Sequence, residues 1–273
     1  MSIDMEKVNQ YIHSFAERIQ KPAKLSSNEK VKVGVDLGTA NIVLAVLNEE
    51  NKPIAGSIYP ASVVRDGLVV DYVGAVDIVK NLKKEIEAQL GLNLTTAAGS
   101  VPPGTMGNDK KAIKNILESA MFDVSSIIDE PTAAASVLGI QDGAVVDVGG
   151  GTTGISILQD GEVIYTADEP TGGTHMSLTI AGYYDISFEE AEARKKDKKQ
   201  GEAVFPIIKP VVEKMASITK RHITGFDIDT IYIVGGSSSF HSFTDVFTQQ
   251  IGISCLKPVH PLFITPLGIA MNG

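Results

Sequence analysis

Cysteine is almost missing from this chain of 273 residues: Cys255 is the only one. A single thiol excludes an internal disulfide framework and any cysteine-rich metal site, and it fits a reducing cytosol; Cys255 itself reads as a small buried hydrophobe. Long apolar runs are missing too. No stretch approaches the ~20 residues that a membrane span needs, and the opening MSIDMEKVNQ lacks the basic region and apolar run of an export signal. These absences lead to the expectation of a soluble, cytoplasmic protein with no membrane partner. Positive charge is scarce: 24 Lys and Arg stand against 33 Asp and Glu, a formal net charge of −9. A phosphate backbone would be repelled, so no nucleic-acid partner is expected. The one basic cluster, Arg194 to Lys199, reads as the solvated end of a helix. No Gly-Lys pair occurs anywhere, which excludes the Walker A loop.

Glycine, by contrast, is plentiful, and two of the segments that carry it are informative. Val33 to Asn41 (VGVDLGTAN) and Val145 to Thr153 (VVDVGGGTT) share one design, an apolar run ending in Asp and then a Gly- and Thr-containing turn. The second contains GGGTTG, a literal match to the G-x-G-x-x-G dinucleotide fingerprint, but that fingerprint must open a helix. Here ISILQDGEVIY follows, with Asp160-Gly161 in the middle, which reads as strand, tight turn, strand. The loop therefore joins two strands, and its glycines let main-chain N–H groups approach an anion closely. VKVGVDLGTANIVLAVLNEENKPIAGSIY repeats that context, so each half opens as a three-stranded meander whose first hairpin ends in a phosphate-type loop. Asp36 and Asp147 end the first strands. Two carboxylates aimed at a polyphosphate would repel it unless a divalent cation intervenes, which implies Mg²⁺ held through bound waters; the plainer alternative is a pair of turn-capping Asp residues.

After each meander the pattern turns helical. Val76, Val79, Leu82, Ile86 and Leu90 follow helical spacing over Asp71 to Leu90. A short strand (TTAAGSVP), a helix (Lys111 to Met121) and a strand (VSSIID) lead into EPTAAA. In the second half, helices are expected near Met176 to Tyr184, Phe188 to Lys196 and Pro206 to Ile223. A strand (TIYIV), the turn GGSSSF and a final helix, Thr265 to Met271, close the chain. Two meander-plus-helices units define an α/β protein with a cleft between its halves.

DLGTAN, DEPTAAA, DVGGGTT, VGGSSSF and TPLGIAM, in that order, resemble the five nucleotide-contacting elements of the actin, Hsp70 and sugar-kinase superfamily. Within it, VVRDGLVVDYVGAV, PPGT, NILESA, YTADEPTGGTHMSLTIAGYYDISFEEAE and IKPVVEKMASITKRHI are similar to the ethanolamine-utilisation protein J (EutJ) family. The resemblance covers Val31 to Gly273 and implies a duplicated actin-like, ribonuclease H-like ATPase fold with reduced inserted subdomains. It implies a first lobe over 31–142, a second over 143–264, and a connecting helix over 265–273 that returns to the first. It further implies ATP or ADP with Mg²⁺ as cofactors, Asp36 and Asp147 as the metal-holding carboxylates, and Gly38, Thr39, Ala40 and Asn41 on the outer phosphates. Gly149, Gly150, Gly151, Thr152 and Thr153 would meet them from the opposite side. Glu130 matches the carboxylate that positions or activates the attacking water, giving a catalytic set of Glu130, Asp36 and Asp147. A helix-start Glu beside Pro131 explains the residue type almost as well. Gly172 and Gly173 match a glycine pair near the phosphates and sugar, Glu192 and Lys195 a ribose and adenine contact, and Gly235, Gly236 and Ser237 a turn under the adenine.

Ala133, Ala134 and Ala135 in one connecting helix, with Gly268 and Ala270 in the other, are small enough for a close crossing that works as a hinge. Three departures temper the transfer of function. The stretch between the third strand and Asp71 is too short for the subdomain that Hsp70 carries there, no lysine is obviously placed to match the one that assists hydrolysis in Hsp70, and no peptide-binding domain is expected after Gly273. Slow hydrolysis, or a conformational switch driven by nucleotide, is the expectation. Residues 1–20 form an expected amphipathic helix, with Met5, Val8, Ile12, Phe15 and Ile19 at 3-4-3-4 spacing, and 21–30 a polar linker. The helix either packs on its own ATPase core or docks on a partner. The resemblance implies a bacterial microcompartment as the setting and an ethanolamine-utilisation enzyme or shell protein as the client. Two functions stay open: a chaperone-like or reactivating accessory, and an actin-like assembly or scaffolding protein.

Overall fold

The valine- and isoleucine-rich runs that open each half pair as antiparallel meanders, and parallel strands delivered by helices extend each of them. The computed structural model describes residues 3–25, 29–65, 67–105 and 107–273; the first two positions of the expected terminal helix and positions 26–28 of the expected linker lie outside them. The first series runs α1 (Met5–Gln20), β1 (Val31–Leu37), β2 (Asn41–Asn48), β3 (Pro53–Pro60), β4 (Val64–Arg65), β5 (Leu68–Val69), α2 (Tyr72–Leu90), β6 (Thr96–Val101), α3 (Asn108–Ser119), β7 (Asp123–Asp129) and α4 (Glu130–Leu138). The second runs β8 (Gly143–Val148), β9 (Thr153–Gln159), β10 (Glu162–Glu169), α5 (Gly173–Tyr184), α6 (Phe188–Lys196), α7 (Gly201–Ile223), β11 (Thr230–Val234), α8 (Phe243–Ile251), β12 (Ser254–Leu256) and α9 (Ile264–Met271).

Among the described residues, two five-stranded sheets have the same order, β3-β2-β1-β6-β7 and β10-β9-β8-β11-β12. In each, the meander strands pair antiparallel and the last two join in parallel. The repeated Asp-Gly segments are thus a repeat of sheet topology. Asp36 in β1 and Asp147 in β8 occupy the same place, one residue before the end of the central strand.

Local chemistry sets the helix ends. Asp71 caps α2 by accepting the Gly74 N–H at 2.9 Å, and Asp129 caps α4 by accepting the Thr132 N–H at 2.9 Å. Pro131 fits the first turn of α4, where its missing N–H costs nothing. α3 begins at Asn108, earlier than Lys111, and α7 begins at Gly201, five residues before Pro206. Pro206 and Pro210 lie inside α7; four residues apart, they share one face of the helix, so their lost hydrogen bonds fall on one side.

The core has an outer layer on each sheet and a shared layer between them. Ile42, Leu44, Val79 and Ile86 belong to the first outer layer, and Ile155, Met215, Ile231 and Phe247 to the second. The shared layer joins β2, α4, β8, β11 and α9. Ile264, Leu267 and Ile269 are fully buried in α9, each stabilising by roughly 1.5–3 kcal/mol. α4 and α9 cross closely because the contact residues are small. A Cβ at Gly268 would collide with the Ala133 carbonyl, and one at Gly34 would lie 2.6 Å from the Pro266 carbonyl oxygen. α1 packs on this same layer. Val8, Ile12 and Phe15 are buried with Val43, Ala45 and Leu47 of β2, and Phe15 lies over Gly56 of β3, where a Cβ would come within 2.6 Å of the ring. The apolar stripe of the terminal helix is therefore occupied by its own core.

Candidate functional site

The ends of the two central strands face a cavity of about 910 Å³. Gly38, Thr39, Ala40 and Asn41 line it from the turn between β1 and β2, and Gly149, Gly150, Gly151 and Thr152 from the turn between β8 and β9. The two turns meet: a Cβ on Gly150 would lie 3.1 Å from the Thr39 Cβ and 3.2 Å from the Ala40 nitrogen. The second turn is braced from behind. Gly149 and Gly150 carbonyls accept the N–H groups of Gly173 and Thr174 at 3.0 and 2.7 Å, and the Ser237 hydroxyl donates to the Gly149 carbonyl at 2.8 Å. Thr153 is buried and donates to the Thr171 carbonyl at 2.6 Å. Thr153, Gly172 and Gly173 thus stand behind the loop rather than on the cavity wall, and a Cβ on Gly172 would fall 2.8 Å from the Gly150 carbonyl oxygen.

Three carboxylates converge below the loops. Burial pushes Asp36 up to about 7, Asp147 adds to the rise, and the Ser100 hydroxyl, 3.5 Å away, opposes it. Burial pushes Asp147 up to about 6 against a 2.6 Å hydrogen bond donated by Thr265. Glu130, the first residue of α4, is held well above the usual carboxylate range by burial and then by Asp147, Asp36, Asp168 and Asp129. Among the described residues, no lysine or arginine contributes to any of the three shifts. Clustered carboxylates without a counter-charge hold their protons tightly and favour a cation that can replace them. Among the described residues no three His, Cys, Asp or Glu side chains are arranged to hold a metal by themselves. Asp36 and Asp147 therefore fit a cation whose remaining ligands are waters or ligand oxygens.

At the other end of the cavity, Glu192 and Lys195 of α6 form an ion pair at 2.7 Å, and Lys196 joins at 3.2 Å. The Lys195 ammonium also donates to the Gly173 carbonyl at 2.8 Å. Burial lowers the Lys195 pKa even against the pull of Glu192, whereas the burial that raises Glu192 is outweighed by Lys195, Ser177 and Lys196, which hold its carboxyl down. Gly235, Gly236 and Ser237 line the cavity after β11. Gly235 has φ +86, and a Cβ there would lie 2.5 Å from the Val148 carbonyl oxygen, so only glycine fits. Lys257, just after β12, donates to the Ser238 carbonyl at 2.8 Å and to that of Phe240, and burial lowers its pKa to about 8.

The residues singled out from sequence as nucleotide, metal or catalytic contacts gather at this cavity or directly behind it. Sequence reasoning missed Ser100 and Thr265, which hydrogen-bond the two aspartates, Asp168, which faces Glu130, and the wall Val259 to Leu262. Thr265 had a visible signal, since it opens TPLGIAM; Ser100 is one small residue in a buried strand and had none. His13 of α1 also lines the cavity.

Two duplicated sheets around such a cavity define an actin-like ATPase fold. The structure superposes on MreB 5 of Spiroplasma citri bound to AMPPNP with a TM-score of 0.72 at 16% identity, over 88% of this chain and 94% of that one. A structure of the PilM-PilN type IV pilus biogenesis complex matches with a TM-score of 0.71 at 13% identity, over 88% and 97%. The family described as type IV pilus assembly protein PilM matches residues 116–262. The chaperone protein DnaK of Thermoplasma acidophilum is 28% identical over 72% of this chain and 33% of its own length. Much greater similarity is found to the ethanolamine utilization protein EutJ of Escherichia coli strain K12, 46% identical over 255 residues, 93% of this chain and 89% of that protein. The crystal structure of EutJ from Carboxydothermus hydrogenoformans gives a TM-score of 0.93 at 45% identity, over 99% of this chain and 100% of that one. The chain belongs to the EutJ family and, through residues 116–262, to the wider PilM-type family.

Proposed function

We propose that this protein is a nucleotide-operated, Hsp70-like chaperone or reactivating accessory of the ethanolamine-utilisation machinery, cytoplasmic and associated with a microcompartment. In this reading it binds ATP or ADP with Mg²⁺ and hydrolyses ATP slowly. One observation carries it: two Gly-Thr turns in contact across a cavity floored by Asp36, Asp147 and Glu130, a carboxylate cluster with no cationic partner of its own among the described residues. Gly38 to Asn41 and Gly149 to Thr152 grip the phosphates, with Thr153, Gly172 and Gly173 fixing the second grip from behind. Asp36 and Asp147 hold the ion; when bound, Mg²⁺ offsets phosphate charge and frees these carboxylates of protons. Glu130, in its ionised form, orients a water and accepts its proton. Glu192 and Lys195 take the ribose end, and Gly235, Gly236 and Ser237 underlie the base. The α4–α9 crossing turns the loss of γ-phosphate contacts into a change of closure.

Titration calorimetry with Mg-ATP tests the reading. The wild type should bind, and Asp36→Ala and Asp147→Ala should lose Mg-dependent binding; unchanged affinity in both variants refutes the site. A pull-down from cells grown on ethanolamine, with and without ATP, identifies the client. A second reading, actin-like assembly, is favoured by apolar side chains left on helix surfaces, Val73 of α2 at 68% exposed and Tyr183 of α5 at 69%.

A further inference from the structure

α1 does more than cover the core, because one edge of it reaches the cavity. The Asn9 side-chain oxygen accepts the Val259 N–H at 2.9 Å. One turn on, His13 stacks on His260 with ring centroids 5.5 Å apart and 19° between planes. Phe15 then meets the Phe263 ring edge-on at 5.3 Å. These contacts grip the segment 259–263, whose inner side braces the turn after β11. The Pro261 carbonyl accepts the Gly235 N–H at 3.1 Å, and a Cβ on Gly236 would come within 3.0 Å of Leu262. His260 has φ +44, a conformation that a non-glycine residue rarely holds, and it is held from both sides, by the His13 stack and the Pro261 bond. Burial, His13 and Lys198 all disfavour the His260 cation.

We propose that α1 is the outer buttress of the base end of the cavity, with Asn9 and His13 as positioning residues, and that seating of α1 and occupancy by nucleotide are linked. The inference rests on the adenine-nucleotide reading of the cavity. Its physical basis is that ligand and helix order the same segment from opposite sides. A ligand over Gly235 and Gly236 stiffens 259–263 and so improves the platform on which α1 sits, and a seated α1 spares the ligand that cost of ordering. The coupling is reciprocal by thermodynamic necessity.

The test uses the full chain and two ligands, Mg-ATP and Mg-tripolyphosphate, which lacks the base. Calorimetry compares the wild type with Asn9→Ala, His13→Ala, His13→Phe and the exposed control Gln10→Ala, while hydrogen exchange follows residues 5–20 of the wild type with and without Mg-ATP. Asn9→Ala and His13→Ala should each weaken ATP about fivefold, the scale of one lost contact, and leave tripolyphosphate unchanged. His13→Phe, which keeps the stack, and Gln10→Ala should bind ATP as the wild type does, and ATP should slow exchange in α1. Equal loss of both ligands in the two variants marks general destabilisation and overturns the proposal, as does ATP binding by the wild type without any change in α1 exchange. Because that exchange is measured on the wild type, the test survives a variant that fails to fold. A wild type that binds tripolyphosphate and not ATP sinks the adenine-nucleotide reading, and the linkage with it.

Discussion

At the scale of single residues, the carboxylate floor decides how the molecule responds to pH and metal. Asp36 is pushed from an ordinary carboxylate value to about 7 and Asp147 to about 6, so the folded protein binds these protons more tightly than the unfolded chain. Their contribution to stability is fully present below pH 4 and is lost as pH rises through 6 to 7. Asp36→Asn, which removes that dependence, should therefore gain stability over the metal-free wild type as pH goes from 4 to 7.5. Urea titrations at the two pH values measure the difference, and a constant difference would show that Asp36 does not titrate in that window. Glu130→Gln keeps the size of the side chain and removes the proposed base, so on that proposal steady-state turnover should fall about 100-fold while Mg-ATP affinity stays near wild type; single-turnover hydrolysis and calorimetry separate the two effects. Asp36, Asp147 and Glu130 were legible because each sits in a local motif. Ser100 and His13 were not, because each reaches the site from an element remote in sequence, and only the packing of β6 and α1 brings them there.

At the scale of elements, the crossing of α4 and α9 is the joint between the halves, and it has no slack. The Ala133 carbonyl occupies the space a side chain at 268 would need, and the backbone of α9 does the same opposite Gly34. Gly268→Ala should cost about 1–3 kcal/mol, because overpacking here means moving a helix rather than a flexible side chain. Urea unfolding followed by circular dichroism checks this; a neutral substitution would mean that the helices can part easily. The meanders and most helices were readable because β-branched residues, Asp-Gly turns and 3.6-residue spacing agree with the final structure. α7 was read five residues short because Pro206 and Pro210 look like a helix start, whereas the helix tolerates both in its interior. α8 and β12 went unread: both are short, and their position is fixed by tertiary packing on α7 and β11. The β4–β5 hairpin pairs only two residues on each side, too few for a strand signal.

At the scale of the molecule, α1 joins two surfaces whose exposure would be costly. Ile12 and Phe15 are fully buried, and they cover Val43, Ala45 and Leu47 on the face of β2 as well as Gly56 on β3. Removing residues 1–28 would open that apolar face to water and at the same time release Val259 and His260 from Asn9 and His13. A truncated chain should therefore aggregate or lose several degrees of thermal stability. A detachable docking helix would instead leave a soluble remainder with an unchanged melting temperature. Size-exclusion chromatography and thermal denaturation distinguish these outcomes. A third measurement separates the two functional readings for the intact chain. At a net charge of −9 copies repel one another, and that repulsion weakens as salt screens it. Light scattering at physiological salt should stay flat when Mg-ATP is added, as a non-polymerising, chaperone-like switch requires. Growth that depends on nucleotide and is abolished by Val73→Glu or Tyr183→Glu would transfer the protein to the assembly class, because charge placed on those two exposed helix positions can stop only a process that buries them.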